Sequence, residues 1–386
     1  MKFRNAILLL ISSFLVISCH VGRYFYWNFA DTNDHNKFEQ VPIRKGEVSS
    51  PFVEKNKNNA VPEFVVDKKG KNRTFEDALI KSGTAAFLVI KNDTIIYENY
   101  FDEYSEATDH PSFSVSKSFI SALIGIALAE GKIQSIDDSI RKYLPDLDPS
   151  FDPVTIAHIL NMQSGVKFSE GYFNPFGEVA KFYYGTNLKK FVGKLKVDQE
   201  PGTTWKYISG NSQLLSLVLE SATQQSLHSY MEEKLWIPLG MEYDASWNID
   251  SKKHKTAKAF CCLNARARDF AKFGQLYLNK GKWNGKQLVP EDWVLKTTTF
   301  NDAINHNIYA YQWWRNISFE ELRAAASSGQ GIVEPAESQK ADYQARGILG
   351  QFIYVNPEKN MVIVRLGHKF GKINWASLFK EISLLN

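Results

Sequence analysis

Apolar residues recur with two different periods along the chain, which predicts strands near both ends and helices between them. The strand-like runs form two pairs, 85–90 with 95–100 and 348–355 with 361–366. A short polar turn separates the members of each pair, so each pair predicts a β-hairpin. Apolar residues at helical spacing occupy residues 119–128, 154–162, 214–219, 226–240, 265–278 and 373–384. This order predicts an α/β fold of the α+β kind: one antiparallel sheet built from both ends of the chain, flanked by helices, with an inserted all-helical lobe.

The first residues predict an export signal. Lys2 and Arg4 precede an apolar stretch, residues 6–17, that is short for a membrane span. The stretch ends in Val-Ile-Ser-Cys, which resembles a bacterial lipobox with Cys19 as the lipid-bearing residue; a plain signal peptide or an uncleaved anchor are the alternatives. We therefore expect a location in the bacterial cell envelope, with the protein anchored to a membrane and facing the periplasm or the exterior.

The expected domain organisation follows from these patterns. Residues 1–19 form the signal with its lipobox, and the polar, irregular residues 20–73 form a tether or an extended arm over the surface. A single folded domain then spans residues 74–385, with its helical lobe at approximately 132–250.

Composition excludes several classes of function. The 386 residues are 44% hydrophobic and 23% charged, which is ordinary for a globular protein with a real core. The net charge of +4 is too small and too dispersed to indicate a nucleic-acid partner. The sequence has no zinc-type arrangement of Cys and His, and neither a metal nor a cofactor is expected. The adjacent Cys261 and Cys262 are expected to be small buried hydrophobic residues without a disulfide.

The main chemical signal is a serine three residues before a lysine. This spacing occurs four times, at Ser114, Ser139, Ser164 and Ser377. Only Ser114 precedes a strongly apolar helix, which would place Lys117 one turn away and partly out of water. Loss of hydration lowers the pKa of a lysine, so a neutral Lys117 can take the serine proton near neutral pH. The alternative is a helix-capping serine beside an exposed lysine.

Two later groups supply the other parts of a hydrolytic site. Tyr207, in a Tyr-x-Ser sequence with Ser209, is a candidate proton relay if a lysine ammonium favours its phenolate. The alternative is a core tyrosine before a helix. Gly347 and Gly350 flank the predicted start of a strand and let a substrate approach the backbone, unless they mark only a bulge or corner. An edge-strand N–H at Ile348 would then join the serine N–H in an oxyanion hole.

In this order, the three groups resemble the serine hydrolases of the β-lactamase/penicillin-binding superfamily. The resemblance is closest to the class C β-lactamase-related proteins and, among them, to the 6-aminohexanoate-dimer hydrolase and esterase branch. The stretches that carry it are Ser114–Ser118, Phe168–Tyr172, Pro175, Glu178–Val179, Tyr207–Ser209, Ala267–Asp269, Phe273–Gly274, Pro290–Trp293 and Gly347–Gln351. The resemblance covers roughly residues 75–385 and implies a β-lactamase/transpeptidase-like fold.

The resemblance also implies roles for individual residues. Ser114 matches the nucleophile, Lys117 its neighbouring base and Tyr207 the general acid and base. The N–H groups of Ser114 and Ile348 match the oxyanion hole. Tyr172 matches a tyrosine of a mobile loop near the substrate amide.

Departures from the family pattern narrow the expected activity. No Lys-[Ser/Thr]-Gly lies on the last strands, and the tripeptide Lys81–Gly83 precedes the nucleophile. This motif holds the substrate carboxylate in β-lactamases and transpeptidases; Arg346 is the candidate to supply some of that positive charge. Ser209 stands where the family has Asn. The acidic residue that would bind a substrate amine is replaced by an aromatic residue near Tyr183, so nylon-oligomer hydrolysis is not implied.

We therefore expect an exported, membrane-tethered serine hydrolase that cleaves a small-molecule ester or small amide through a Ser114 acyl-enzyme. Tyr172 and Trp313 are expected to line an apolar substrate pocket, with Ser209, Arg346 and the two glycines as further substrate contacts; core packing is the alternative for Trp313. One alternative function is a penicillin-binding, D-alanyl peptidase or β-lactamase-type enzyme. The other is an inactive scaffold or sensor of the same fold.

Overall fold

The computed structural model of the chain describes residues 20–55, 60–318 and 341–386. Its strands are β1 (Gln40–Ile43), β2 (Val53–Glu54), β3 (Phe64–Val66), β4 (Asn72–Thr74), β5 (Thr84–Lys91), β6 (Thr94–Tyr100), β7 (His110–Pro111), β8 (Ala245–Asn248), β9 (Leu263–Ala265), β10 (Lys282–Trp283), β11 (Lys286–Gln287), β12 (Tyr309–Ala310), β13 (Trp313–Arg315), β14 (Tyr343–Gly347), β15 (Gln351–Asn356) and β16 (Met361–Gly367). Its α-helices are α1 (His20–Trp27), α2 (Phe75–Lys81), α3 (Ser116–Ala129), α4 (Ile156–Leu160), α5 (Glu178–Tyr184), α6 (Leu188–Val192), α7 (Ser209–Thr223), α8 (Leu227–Met231), α9 (Ala267–Leu278), α10 (Glu291–Thr297) and α11 (Trp375–Leu385).

An eight-stranded sheet joins the two ends of the chain. Its strand order is β12-β13-β14-β15-β16-β5-β6-β2, and all neighbours are antiparallel except β2 and β6. β5 and β6 form the first predicted hairpin, in which the turn residues Asn92 and Asp93 both have the positive φ that tight hairpin turns require. β15 and β16 form the second, and β16 pairs with β5. The predicted antiparallel sheet is therefore confirmed.

Helices cover both faces of the sheet, which explains why its central strands are continuous apolar runs. Successive residues of β5 point to opposite faces: Leu88 packs in the core shared with α3 and α9, whereas Phe87 packs in the core shared with α2 and α11. Phe119 of α3 stacks on Phe273 of α9, with ring centroids 3.7 Å apart. This packing holds α3, and with it the turn that carries Ser114, against the sheet.

The predicted helical lobe falls between α3 and β8. It contains α4 to α8, and its longest helix, α7, packs against α3 and α4. All residues of α7 from Ser209 to Leu219 are buried. The lobe therefore packs against the helix that follows Ser114 and forms one side of the candidate site.

Two element boundaries differ from the sequence prediction. A loop was expected over the aromatic and glycine-rich residues 164–185, but it ends at Gly177, and α5 begins at the next residue. Most residues of α5 are buried, and this burial stabilises the helix. The strand expected at 348–355 begins only at Gln351, because Gly350, with a φ of +86°, turns the chain between β14 and β15.

Residues 20–55 lie against the body and carry elements that composition alone did not predict. α1 packs against α5, where the rings of Tyr24 and Tyr184 meet at a centroid distance of 5.4 Å. β1 pairs with β8 in a small four-stranded sheet. No described helix combines the length and the apolar character that a membrane crossing requires. The predicted signal and Cys19 lie outside the described residues, and the predicted division into tether and domain stays a prediction.

Candidate active site

Ser114 lies in a short 3-10 turn, Phe113–Val115, that connects β7 to α3. The Ser112 N–H donates to the Leu263 carbonyl of β9 at 2.8 Å, which fixes the start of the turn. Phe113 has a φ of +45°, a strained conformation for a bulky residue, and its buried ring holds it there. The turn thus places the Ser114 side chain on the wall of a cavity.

Lys117 occupies the first turn of α3 and is almost completely buried, with 1% of its surface exposed. Its Nζ donates to Ser114 Oγ at 3.0 Å and to the Phe260 carbonyl at 2.5 Å. Burial lowers the pKa of Lys117 to about 8, although the Glu170 carboxylate opposes this shift. A useful fraction of the amine is therefore neutral near physiological pH, and it lies where it can take the Ser114 proton.

Tyr207 lies close to both residues, with its ring centroid 5.4 Å from Lys117 Nζ. Burial raises the pKa of the Tyr207 hydroxyl, and its hydrogen bond with the Ser114 side chain opposes that shift only in part. The rings of Trp314 and Tyr309 pack against Tyr207 at centroid distances of 5.4 and 6.1 Å. Tyr207 is therefore a phenol at neutral pH. The surroundings of Tyr207 thus do not favour the phenolate, because desolvation outweighs the nearby positive charge, and the role of Tyr207 as a proton relay stays a prediction.

Arg346 approaches Tyr207 from β14 but does not line the cavity that holds Ser114. Its guanidinium carbon lies 5.3 Å from the Trp314 ring centroid and 6.0 Å from that of Phe352. Burial lowers the pKa of Arg346 to about 10, which leaves the side chain charged at neutral pH. Its position thus fits an electrostatic influence on Tyr207 better than the predicted substrate contact.

Glu170 is a site residue that the sequence argument missed. Its carboxylate accepts the Ser209 N–H at 2.8 Å and the Ser209 hydroxyl at 2.6 Å, at the N-terminus of α7. The Tyr172 hydroxyl also donates to it, at 3.2 Å. Ser209 lines the cavity, but its hydroxyl donates to Glu170. The sequence did offer a signal for this contact, since Glu170 is the acidic residue in the aromatic stretch 168–173. A carboxylate is stabilised at a helix N-terminus, so Glu170 could have been paired with the start of a nearby helix.

The tight turn after β14 brings Ile348 to the cavity that Ser114 lines. Ile348 was predicted to lie on an edge strand, but it lies in the turn after β14, and β14 itself is paired with a neighbour on each side. Gly347 is required by a close approach: a Cβ at this position would lie 2.6 Å from the Ser112 carbonyl oxygen. The glycine therefore lets the end of β14 approach the turn that carries Ser114, and Ile348 follows it directly.

Arg365 of β16 holds the other side of this turn. Its fully buried guanidinium donates to the Leu349 carbonyl at 3.0 Å and to the Gly350 carbonyl at 2.6 Å. A Cβ at Gly350 would lie 2.0 Å from Arg365 Nη1, so glycine is needed for this contact. Gly347 and Gly350 thus serve backbone packing, and the predicted approach of substrate to them is not what their surroundings indicate.

The cavity beside Ser114 has a volume of about 360 Å³. Its lining combines Ser114, Ser209 and Cys261 with aromatic and aliphatic side chains from α1, α5 and the surrounding turns: Tyr24, Phe29, Ala30, Phe113, Tyr172, Phe173, Val179, Ala180, Tyr183, Tyr184, Phe260 and Ile348. None of these residues carries a charge at neutral pH. In the described ranges, no group of three His, Cys, Asp or Glu side chains is arranged to hold a metal ion.

The two aromatic residues predicted to line the pocket have different positions. Tyr172 lines the cavity and is 38% exposed. Trp313 is 0% exposed and packs between Tyr277 and Tyr343 in the core, so its predicted substrate contact is wrong. The whole indole of Trp313 is buried against apolar neighbours, so core packing, the alternative given for this residue, is the role that its position supports.

Cys261 and Cys262 form a disulfide between adjacent residues. Both are buried as predicted, but the expectation that they remain unpaired is wrong. The two cysteines directly follow Phe260, whose carbonyl accepts a hydrogen bond from Lys117 Nζ. Cys262 has a φ of +73°, so the chain turns sharply here and brings the two side chains together. The pair therefore lies in the wall of the candidate site.

A serine paired with a buried lysine, between a central antiparallel sheet and a helical lobe, defines a β-lactamase-fold serine hydrolase. Sequence comparison agrees, because the Beta-lactamase family matches residues 72–376. The chain belongs to this family.

Individual relatives are similar to this chain over most of its length. The 6-aminohexanoate-dimer hydrolase of Paenarthrobacter ureafaciens is 24% identical over 318 residues, which are 75% of this chain and 74% of the relative. A solved structure of a Bacillus anthracis protein, proposed to be a 6-aminohexanoate-dimer hydrolase, has a TM-score of 0.77 at 24% identity and covers 94% of this chain and 93% of its own. A class C β-lactamase structure has a TM-score of 0.59 at 17% identity, covering 80% and 92%. These structures support the fold.

Proposed function

We propose that the protein hydrolyses an ester with an uncharged, apolar acyl group through an acyl-enzyme on Ser114, with a small amide as the alternative substrate. One observation carries the proposal: Ser114 Oγ accepts a hydrogen bond from a buried amine on the wall of a cavity whose lining has no charged side chain. Residues 1–19 support export and tethering to the bacterial cell envelope through a lipid on Cys19.

Acylation uses the three side chains in sequence. The Ser114 hydroxyl attacks the substrate carbonyl and gives its proton to the neutral Lys117 amine. The N–H groups of Ser114 and Ile348 stabilise the tetrahedral oxyanion. Tyr207, a phenol within reach of Ser114, passes a proton to the leaving alkoxide, and the proton on Lys117 restores the phenol. The carbon–oxygen bond breaks, the alcohol leaves and Ser114 keeps the acyl group.

Deacylation reverses the same transfers. A water molecule replaces the alcohol and attacks the acyl carbon, while the neutral Lys117 takes its proton through Tyr207. The bond between the acyl carbon and Ser114 Oγ then breaks, and the serine recovers a proton from Lys117. The released products are a carboxylic acid and the alcohol, and the enzyme returns to its initial state.

Mass labelling with a fluorophosphonate tests the nucleophile. We expect one adduct, on the peptide that contains Ser114, and none in Ser114→Ala. Ser377→Ala is the matched control, because Ser377 also precedes a lysine by three residues but lies on the exposed side of α11. An adduct on another serine, or no adduct together with no turnover of p-nitrophenyl esters, contradicts the proposal. Stoichiometric acylation of Ser114 by a β-lactam would favour the penicillin-binding alternative.

A pair of esters of equal length tests the acyl preference. p-Nitrophenyl butyrate and the mono-p-nitrophenyl ester of succinic acid share a four-carbon acyl chain, but only the second carries a carboxylate. We expect kcat/KM for the neutral ester to be at least about tenfold higher, because the cavity cannot compensate the lost hydration of a charge. A preference for the charged ester would contradict the proposed specificity, and butyryl anilide would separate amidase from esterase activity.

A further inference from the structure

Exposed aromatic side chains are concentrated in one part of the surface. Seven aromatic residues of the described ranges are exposed, and six of them lie on α1, just after it, or in the loop before α5. These six form what we call the aromatic rim: Phe25, Tyr26, Phe29, Tyr172, Phe173 and Phe176. Phe25, Phe173 and Phe176 are 70%, 82% and 66% exposed. A concentration of exposed apolar surface of this kind marks an interaction site.

The aromatic rim lies at the opening of the cavity beside Ser114. Phe29, Tyr172 and Phe173 belong both to the rim and to the cavity lining. The rings of Phe29 and Phe173 meet at a centroid distance of 5.2 Å, although one follows α1 and the other precedes α5. The Tyr24 hydroxyl donates to the Tyr172 carbonyl at 3.1 Å, which joins the two segments a second time. Whatever contacts the rim therefore also faces the entrance to the active site.

The aromatic rim begins a few residues after the apolar stretch of the predicted signal. Phe25 follows Ile17 by eight residues in the sequence. A fully extended chain of that length spans at most about 28 Å, and a helical chain spans less than half of that. If residues 6–17 or a lipid on Cys19 hold the chain in a bilayer, Phe25 and Tyr26 are therefore within one membrane thickness of the anchor.

The surface next to the rim carries an excess of positive charge. A second cavity, of about 710 Å³, is lined in part by residues 166–170 of the loop before α5 and by residues of α5 itself. Five lysines and three acidic residues line it: Lys167, Lys181, Lys194, Lys196, Lys206, Glu170, Glu178 and Asp198. Lys181 forms an ion pair with Glu178, and Lys196 forms one with Asp148, so the excess of positive charge is about one. Lysines beside exposed aromatic residues are the combination that favours a membrane surface, because aromatic rings settle at the headgroup level and lysines attract anionic lipids.

We propose that the aromatic rim docks into the lipid–water interface of the membrane that anchors the chain, so that the cavity opens toward the bilayer and receives an acyl ester that resides there. This inference rests on the proposed function, because it names the source of the ester that Ser114 cleaves. The acyl chain would pass from the lipid, along the paired rings of Phe29 and Phe173, to the apolar wall beside Ser114 without crossing water. A protein partner or a second copy of the chain are the other possible occupants of the rim.

Photolabelling tests the docking without requiring turnover. The full chain, in the Ser114→Ala form, is incorporated into phosphatidylcholine–phosphatidylglycerol vesicles that contain a phospholipid with a diazirine in its acyl chain. After irradiation, we expect lipid adducts on peptides that contain residues 24–29 and 172–176. Adducts confined to residues 1–19, or equally frequent on the peptide that contains Phe64, would overturn the proposal, because Phe64 is an exposed aromatic residue of β3 outside the rim.

A double variant then connects docking to substrate supply. Phe25 and Phe176 belong to the rim but do not line the cavity. Phe25→Ser/Phe176→Ser in the full chain should lower hydrolysis of a vesicle-borne diacylglycerol about tenfold and change hydrolysis of soluble p-nitrophenyl butyrate by less than about twofold. Phe64→Ser, the matched control, should change neither rate. An equal loss on both substrates, no loss on either, or a stable dimer that the double variant dissociates would overturn the proposal.

The two proposals fail in different ways. If Ser114 forms no adduct and no ester is hydrolysed, the proposed function fails, while photolabelling of the rim still gives its own result. If esters are hydrolysed but the rim takes no lipid label, the hydrolase proposal stands and the membrane-docking proposal falls.

Discussion

Three lysines of the described residues are buried almost completely, Lys117, Lys258 and Lys272. Lys272 forms an ion pair with the Glu242 carboxylate. Lys117 and Lys258 have no such contact with a carboxylate of the described residues, and their surroundings differ from each other. Lys117 donates to the Ser114 hydroxyl and to the Phe260 carbonyl. Lys258, which is 0% exposed, donates to the Tyr183 carbonyl and lies 3.3 Å from the centroid of the Phe38 ring. Burial lowers the pKa of both amines, to about 8 for Lys117 and well below the usual value for Lys258.

The comparison shows that a buried amine is not sufficient for catalysis. Lys117 has a hydroxyl with a proton to give, and that hydroxyl faces a cavity. Lys258 is desolvated as well, but its polar contact is a carbonyl, which has no proton to lose. It connects the arm, through Phe38, to α5. We therefore expect Lys117 to determine the reaction rate and Lys258 to affect stability alone.

The largest effect is expected when the proton donor beside Lys117 is removed. Ser114→Ala would leave Lys117 without a hydroxyl partner, which is already the situation of Lys258. This change should lower kcat/KM at least about 1000-fold. Steady-state hydrolysis of p-nitrophenyl butyrate by the unlabelled enzyme measures it. Ser377→Ala should retain the parental rate; a similar loss in Ser377→Ala would mean that the assay reports folding and not the nucleophile.

Exchanging each lysine for methionine tests the comparison directly. Lys117→Met should lower kcat/KM by about 100- to 1000-fold, because it removes the general base but keeps the volume of the side chain. Lys258→Met should change kcat/KM by less than about threefold and alter the free energy of unfolding by about 1 kcal/mol, the value of one internal hydrogen bond. Steady-state kinetics and urea unfolding give both quantities.

These two variants can also contradict the comparison. If Lys258→Met lost activity as Lys117→Met does while its unfolding curve stayed normal, Lys258 would have a role in the reaction that its contacts do not show. If both variants unfolded in the absence of urea, circular dichroism would show it before any rate was interpreted.

The pH dependence of the rate should report the state of Lys117. The amine is neutral, and thus a base, only above its pKa of about 8. We expect kcat/KM to rise about tenfold per pH unit below this value and to level off above it. This rise should be absent from the residual activity of Lys117→Met and present in Lys258→Met. A rate that does not change with pH between 6 and 9 would show that another group is the base.

The smallest effect is expected from changes in the segment after Lys258, which Lys117 contacts. Phe260, between Lys258 and the Cys261–Cys262 disulfide, offers the carbonyl that Lys117 contacts. Cys261→Ala/Cys262→Ala should make the position of the Phe260 carbonyl less fixed. We expect kcat/KM to fall by only about threefold, because Lys117 keeps its contact with Ser114. Peptide mapping after alkylation in denaturant should show that Cys261 and Cys262 react only once a reductant is present, whatever the state of Cys19. Alkylation of Cys261 and Cys262 without reductant would exclude the disulfide.

The sequence predicted most of the fold, and particular residues show why. Asn92 and Asp93 tolerate positive φ, so the first hairpin followed from local chemistry. The apolar runs of β5 and β16 predicted central strands, because both faces of the sheet are covered. The arm was harder to predict: its polar composition concealed α1, whose packing depends on α5, a helix more than a hundred residues away in sequence.

The candidate site divides in the same way. Ser114, Lys117 and Tyr207 were identified from spacing, order and resemblance, and the structure brings them together. The role of Glu170 and the core position of Trp313 depend on contacts with distant segments, which no local pattern reports. The same is true of the phenol form of Tyr207, since desolvation depends on how Trp314 and other neighbours surround it.

The sequence by itself determined the hairpins, the long helices, the family and the order of the catalytic groups, because these depend on periodicity and on residues close together in the chain. Only the tertiary structure decided which buried lysine meets a hydroxyl, and that residues 20–30 contribute to the wall of the candidate site. Both depend on which distant surfaces exclude water from one another. Ser114 is therefore identified by its neighbours in sequence, and its chemistry by its neighbours in space.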